Sequence, residues 1–255
     1  MKRSHGARLL LALLSLCALA ILTGLGTWQL QRLAWKEALI AAASERPGAA
    51  AVAAPGPAAW PTFDLADWNY RRVRLTGRFA PGEVYAWTLL GEPKGGPHAG
   101  AGYYLVSPFV TDDGFVVLVN RGFVPEDRKA AASRPGSAVP DGPVTLEGIV
   151  RRDDPPGLMT PAPDPATGIW FSRDIATIAA HLGVPEPLAP YSVDLVATQT
   201  PPGGLPQAGE SQITFANSHL QYALTWYGLA AALVGVWIAA LWSRRRKRAT
   251  PAGTA

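Results

Sequence analysis

The chain of 255 residues holds one cysteine, two methionines and four histidines, and each scarcity excludes a chemistry. A single cysteine rules out an internal disulfide framework, a CxxC redox pair, a c-type haem attachment motif and a multi-cysteine zinc site. Cys17 follows Leu16, where lipoprotein acylation needs a small residue, so it reads as a packing or lipid-facing side chain. The histidines, His5, His98, His181 and His219, form neither an HxxxH nor an HExxH pattern. With so few methionines, copper and zinc centres have poor support. GxSxG, SxxK, Walker and GxGxxG motifs are missing too, which removes the common hydrolase and nucleotide-enzyme signatures. The acid pairs Asp112/Asp113 and Asp153/Asp154 sit in Gly- or Pro-rich turns, where aspartate serves turn geometry alone.

Charge is also scarce, at 16% of residues, against roughly a quarter in ordinary soluble domains. The deficit lies in two runs, residues 9–26 and 222–242, of 18 and 21 residues without a charge. As helices they would be roughly 27 and 31 Å long, close to the ~30 Å hydrocarbon core of a bilayer. The net charge of +4 has the same origin. Eight of the 23 cations lie in the tails (Lys2, Arg3, Arg8 and Arg244 to Arg248), leaving 15 against all 19 acids. The basicity therefore reports topology and not nucleic-acid binding: both tails are expected on the cytoplasmic side, with the intervening segment translocated. A cleaved signal peptide competes for the first run. Against it, no small-x-small site closes the run, which passes unbroken into the helical-looking GTWQLQRLAWKEALI (26–40).

The expected organisation is a cytoplasmic tail (1–8), a first span (9–28), an extracytoplasmic domain (29–221), a second span (222–242) and a basic tail (243–255). Residues 41–59, rich in Ala, Pro and Gly, read as a linker or irregular loop. YRRVRLTGRF (70–79) alternates strictly, with Val73, Leu75 and Phe79 on one face and the cationic Arg72, Arg74 and Arg78 on the other. Further strands are expected at 84–90, 103–110, 115–123, 144–151 and 191–197, with a hairpin turn at Thr111-Asp112-Asp113-Gly114. A short amphipathic helix is expected at 174–182, stopped by Gly183. The fold class is an α+β membrane protein: two transmembrane helices around a mostly antiparallel β domain with one short helix.

His219 is set apart by its neighbours. In NSHLQYALTWYGLA (217–230), helical spacing puts His219, Tyr222 or Ala223, Trp226 and Ala230 on one stripe. A flat macrocycle with a metal centre would suit that surface, the imidazole supplying an axial ligand and the rings stacking area. Trp28, Arg32 and Trp35 share a face of the first helix, and the Arg32 fork would match a carboxylate such as a haem propionate. The plain alternative is that these are the Trp, Tyr and Arg anchors normal at membrane boundaries.

GTWQLQRLAWKEALI, YRRVRLTGRF, GYYLVSPF (102–109), LVNRGFVP (118–125), WFSRDI (170–175), PYSVD (190–194) and NSHLQYALTWYGLA, in this order, are where the chain resembles the Surf1 (Shy1) family of cytochrome c oxidase assembly factors, a bacterial rather than mitochondrial member by its short basic start. The resemblance implies a non-enzymatic chaperone of the respiratory chain in the bacterial inner membrane, with both termini cytoplasmic and the main domain periplasmic. Its implied partners are the catalytic subunit of a haem-copper oxidase and its assembly intermediates, with the machinery that makes haem a as a further one. It also implies transient binding of haem a, with the histidine of the NxH motif, here His219, as iron ligand. The roles of Arg32, Trp28, Tyr222 and Trp226 rest on spacing and not on the family. Ligation needs a neutral imidazole, the major form of an ordinary histidine at neutral pH. The competing functions are a scaffold that binds no haem and docks oxidase subunits through Arg72, Arg74 and Arg78, and a membrane-anchored enzyme with scattered catalytic residues. Neither 41–59 nor the Pro-rich loop 153–168 matches a family motif, and no role is assigned to them.

Overall fold

The computed structural model describes residues 5–211 and 217–249. Helix α1 (His5–Glu45) opens the chain and, at 41 residues, is about 60 Å long, twice the ~30 Å hydrocarbon core. Its apolar half is followed by Gln29, Gln31, Arg32, Lys36 and Glu37, and it ends before Pro47 breaks the pattern. The last of the helices is α4 (His219–Ala249). Each contains a stretch long and apolar enough to cross a membrane, and 6% of the most apolar window of each is buried. A core helix of a soluble protein would have that surface covered.

The sheet unit begins at Ala42. Its strands are β1 (Val52–Ala53), β2 (Arg72–Phe79), β3 (Val84–Leu90), β4 (Gly100–Thr111), β5 (Val116–Pro125), β6 (Val144–Arg151), β7 (Ile169–Trp170) and β8 (Leu188–Leu195). The short helices α2 (Leu65–Trp68) and α3 (Ile175–Leu182) complete it. Pairing runs β2, β6, β8, β5, β4 and back to β2, so five strands close a barrel, while β3 and β7 extend the sheet beyond β4 and β1 lies beside β2. Most pairings are antiparallel, and β5 with β8 is parallel within the ring. Closure removes the unpaired strand edges that an open sheet exposes.

Burial follows from this topology. Val73, Leu75, Phe109, Val117, Tyr191 and Val193 fill the barrel, all 4% exposed or less. Val106 and Leu118 point the other way, into a second core with Val84, Trp170, Ile175 and Ile178. Strands β4 and β5 are thus covered on both faces, which is why VVLV reads as a continuous apolar run instead of alternating. Helix α3 starts at the Asp174 cap, whose carboxylate accepts from the Thr177 amide at 2.7 Å, and stops at Gly183 in the left-handed region.

One expectation needs correcting. Residues 41–59 are not a free linker: α1 runs into them, β1 pairs with β2, and the Pro55 carbonyl accepts from both Tyr191 Oη and Trp60 Nε1 at 2.8 Å. Trp60 then meets Phe115 edge to face at 5.6 Å, so the segment closes the barrel. The cationic face of β2 carries three arginines and one paired acid, so it stays net positive. Glu147 on β6 accepts from Arg72 at 2.6 Å and from Arg74 at 2.8 Å, and these bonds hold its carboxyl below the usual carboxylate range. Arg78 lies outside that clip, and Arg74 and Arg78 are exposed.

Gly122 marks a place where the packing tolerates no side chain. Its φ is +133°, and a Cβ there would lie 2.3 Å from the Gln207 carbonyl oxygen, which accepts from Phe123 N at 2.8 Å. Gly122→Ala is expected to lower stability by about 1–3 kcal/mol from backbone strain, with the collision adding to it. Denaturant unfolding of the purified chain checks this, and an unchanged midpoint would mean that the Gln207 segment does not seat against β5.

Candidate functional site

His219 is the first residue of α4, and Asn217 Oδ1 accepts from its backbone amide at 3.4 Å. The imidazole is half-buried and faces α1, where Nδ1 lies 2.7 Å from Gln29 Oε1. A carbonyl oxygen can only accept, so Nδ1 donates the proton, which in a neutral ring leaves the lone pair on Nε2. The same helix pair meets at Gly26, whose hydrogen fills the place where a Cβ would come 2.9 Å from the Tyr227 ring, and at Thr27, whose hydroxyl bonds Tyr227 Oη at 3.0 Å.

The other expected site residues are distributed around this contact. Ala223 and Ala230, on the same stripe as His219, are 1% and 5% exposed, so the small members of the stripe are packed in. Trp226 is half-buried, while Tyr222 and Trp28 are each about half exposed. The Arg32 guanidinium stacks on the Trp35 ring at 4.4 Å, as their shared face predicts. Among the described contacts of His219, the ring partner is Gln29 and not any of these four residues. Gln29 was missed from sequence. Its only signal there is a side-chain amide directly after the apolar run, one turn beyond Gly26.

A second polar cluster lies in the sheet unit. Asp194 on β8 is 1% exposed and accepts from Arg173 at 2.9 Å and from Ser211 Oγ at 2.6 Å, with Arg151 Nε at 3.7 Å. Burial alone would raise its pKa, but Arg173 and Arg151, with hydrogen bonds from Ser211 and Asn120, hold the carboxyl below the usual range. Arg173 also lies 5.6 Å from the Tyr104 ring centre, and Tyr104 Oη donates to the Glu210 carbonyl at 2.6 Å. Burial and the nearby Asp194 charge push that phenol up to about 12. Asp194, Arg173, Asn120 and Tyr104 come from PYSVD, WFSRDI, LVNRGFVP and GYYLVSPF, motifs quoted from the sequence without a role. They converge as a structural lock whose acceptors are engaged within the chain.

Two apolar helices of membrane-crossing length, placed on either side of a closed β-barrel in the sequence, define an α+β two-span membrane protein. The SURF1 family model matches residues 16–231, and the chain belongs to that family. It is 37% identical to the SURF1-like protein of Monosiga brevicollis over 92% of this chain and 88% of that protein. Surfeit locus protein 1 of Rattus norvegicus is 36% identical, over 89% of this chain and 73% of its own length. The Homo sapiens protein of the same name is 35% identical, over 89% and 75%.

Replacing Asp194 by Asn should cost about 3–5 kcal/mol at neutral pH, because two largely buried guanidinium groups lose their counter-charge. The folded carboxyl titrates below the value of about 3.9 it has when unfolded. Its contribution is therefore complete above that pH and fades as the pH falls towards the folded value. Unfolding followed against pH should show an acid limb in the parent that is shallower in Asp194→Asn. Equal limbs would place the acid sensitivity elsewhere.

Proposed function

We propose that this SURF1-family chain is a non-enzymatic assembly factor for a haem-copper cytochrome c oxidase, and that it holds haem a through His219. The observation that carries the reading is the hydrogen bond from His219 Nδ1 to Gln29 Oε1 at 2.7 Å. A ligating histidine characteristically gives its other ring proton to a carbonyl or carboxylate, which fixes both tautomer and ring orientation. Gln29 does this from the companion helix, leaving the Nε2 lone pair available to an iron.

His219 would hold the iron through Nε2, with Gln29 orienting the ring. Bound haem a would supply the redox-active iron centre that the oxidase's catalytic subunit needs. Trp28 and Tyr222 offer exposed aromatic surface close in sequence to the Gln29–His219 pair, and Trp226 is partly accessible one helical turn beyond Tyr222. Arg32, stacked on Trp35, keeps a planar cation that fits a propionate. Oxidase intermediates, with the haem a-producing machinery, are the partners this reading requires. The basic tails favour placement in a bacterial inner membrane with both ends cytoplasmic and the barrel periplasmic.

The test is the absorption spectrum of protein purified in detergent from a host that makes haem a. The parent should carry a haem band, and His219→Ala should lose it. Gln29→Leu keeps the ligand but removes its orienting partner, and should weaken haem affinity by about 10–100-fold. Full haem content in His219→Ala overturns the ligand assignment, and unchanged affinity in Gln29→Leu overturns the role of the pair.

A further inference from the structure

The barrel unit has a cavity of about 520 Å³ beside β4 and β5 in which two buried arginines share one carboxylate. Arg121 and Arg134 are 6% and 2% exposed, and both lean on one carboxylate, Glu83. Glu83 Oε1 accepts from Arg134 at 2.9 Å and from Tyr85 Oη at 2.6 Å, whereas Oε2 stands 3.5 Å from Arg121, longer than a charge-assisted hydrogen bond. Arg134 is spent further on the Lys129 carbonyl, the Tyr85 hydroxyl and Ser137 Oγ. Arg121 reaches the Ser137 carbonyl with its other terminal nitrogen. Burial, and the Arg134 charge against the partial relief from Glu83, lower the pKa of Arg121.

Ser107 supplies the second observation. It is 1% exposed, lines the same cavity, and its hydroxyl has no hydrogen-bond partner among the described residues. An unsatisfied buried hydroxyl costs about 1–3 kcal/mol, which a ligand with an acceptor oxygen would recover. The remaining wall is apolar, from Pro81, Ala131, Pro135, Ala138 and Val139. Asp141 also borders the cavity, but it is exposed, where water screens its charge.

We propose that this cavity binds a small organic carboxylate, its oxygens meeting Arg121 and the Ser107 hydroxyl and its apolar body lying along the Pro81, Pro135 and Val139 wall. The charge count selects the head group. With the exposed Asp141 set aside, two arginines and one glutamate leave one positive charge, which a monoanion neutralises and a phosphate dianion overshoots. The apolar wall selects an organic body over a bare ion.

Calorimetric titration of the full chain in detergent tests this with three probes: benzoate, its neutral isostere benzamide, and inorganic phosphate. Benzoate should bind saturably, and benzamide and phosphate should not. Arg121→Lys should weaken benzoate about tenfold or more, since a charge-assisted hydrogen bond is lost. Ser107→Ala removes an unpaired hydroxyl, so its thermal midpoint should stay level or rise while benzoate weakens about fivefold. That variant keeps the test valid if Arg121→Lys fails to fold. Absence of saturable benzoate binding overturns the proposal, as does equal binding of benzamide or phosphate, or full affinity in Ser107→Ala.

Discussion

The barrel depends on one carboxylate. Asp194 sits on β8, the strand that pairs with β6 on one side and β5 on the other and so completes the ring. Through it are tied Arg151 at the end of β6, Arg173 ahead of α3, and Ser211 where the chain leaves the sheet. An isolated buried carboxylate is too costly to stay ionised. Here the cost is met by two guanidinium groups, whose excess charge faces the rings of Tyr70 at 4.9 Å and Tyr104 at 5.6 Å. Such a cluster contributes little net stability compared with apolar packing, yet it tolerates no missing member. It therefore specifies how the ring closes more than it strengthens it.

The helical unit obeys a different rule. In lipid there is no hydrophobic drive to press two apolar helices together, so contact relies on small residues and hydrogen bonds. Gly26 under the Tyr227 ring, Thr27 to Tyr227 and Gln29 to His219 are contacts of that kind, all towards the end of the apolar run of α1. The Gln29 bond thus has two consequences. It joins the helices, and it decides which nitrogen of His219 carries the proton.

Much of this was legible in sequence where the information is local. Strands β3 and β6 have the bounds that alternation and flanking turn residues imply, and Gly114 takes the positive φ of +82° that the Asp-Gly turn requires. The Asp174 cap and Gly183 stop fix α3 for the same reason. Ring closure was not legible, because β2 meets β4 and β5 meets β8 through registers that no neighbouring residues encode. The segment at 41–59 looked structureless because its contribution is the Pro55 carbonyl, a group every residue type has. His219 stood out by residue type and position. Gln29 did not, since its partner lies 190 residues away and only the pairing of the helices reveals it.

The two units also differ in where they keep unused bonding capacity. In the barrel, the Arg72–Glu147–Arg74 clip uses surface charge to hold β2 against β6, a cross-strand contact that fixes register while adding little energy. The interior carboxylates Asp194 and Glu210 are engaged by arginines, hydroxyls and backbone amides. Buried there without a hydrogen-bond partner among the described residues are the Ser107 hydroxyl, Arg151 Nε and Nη1, and Trp170 Nε1, and Ser107 lines the same cavity as Arg121. In the helical unit the seam consumes Gly26, Thr27, Gln29, Ala223 and Tyr227, and the aromatic surface of Trp28 and Tyr222 stays outside it. A flat ligand on His219 would therefore have to approach from the flank of the helix pair and not from within it. A ligand resting on those rings could leave without any part of the seam opening.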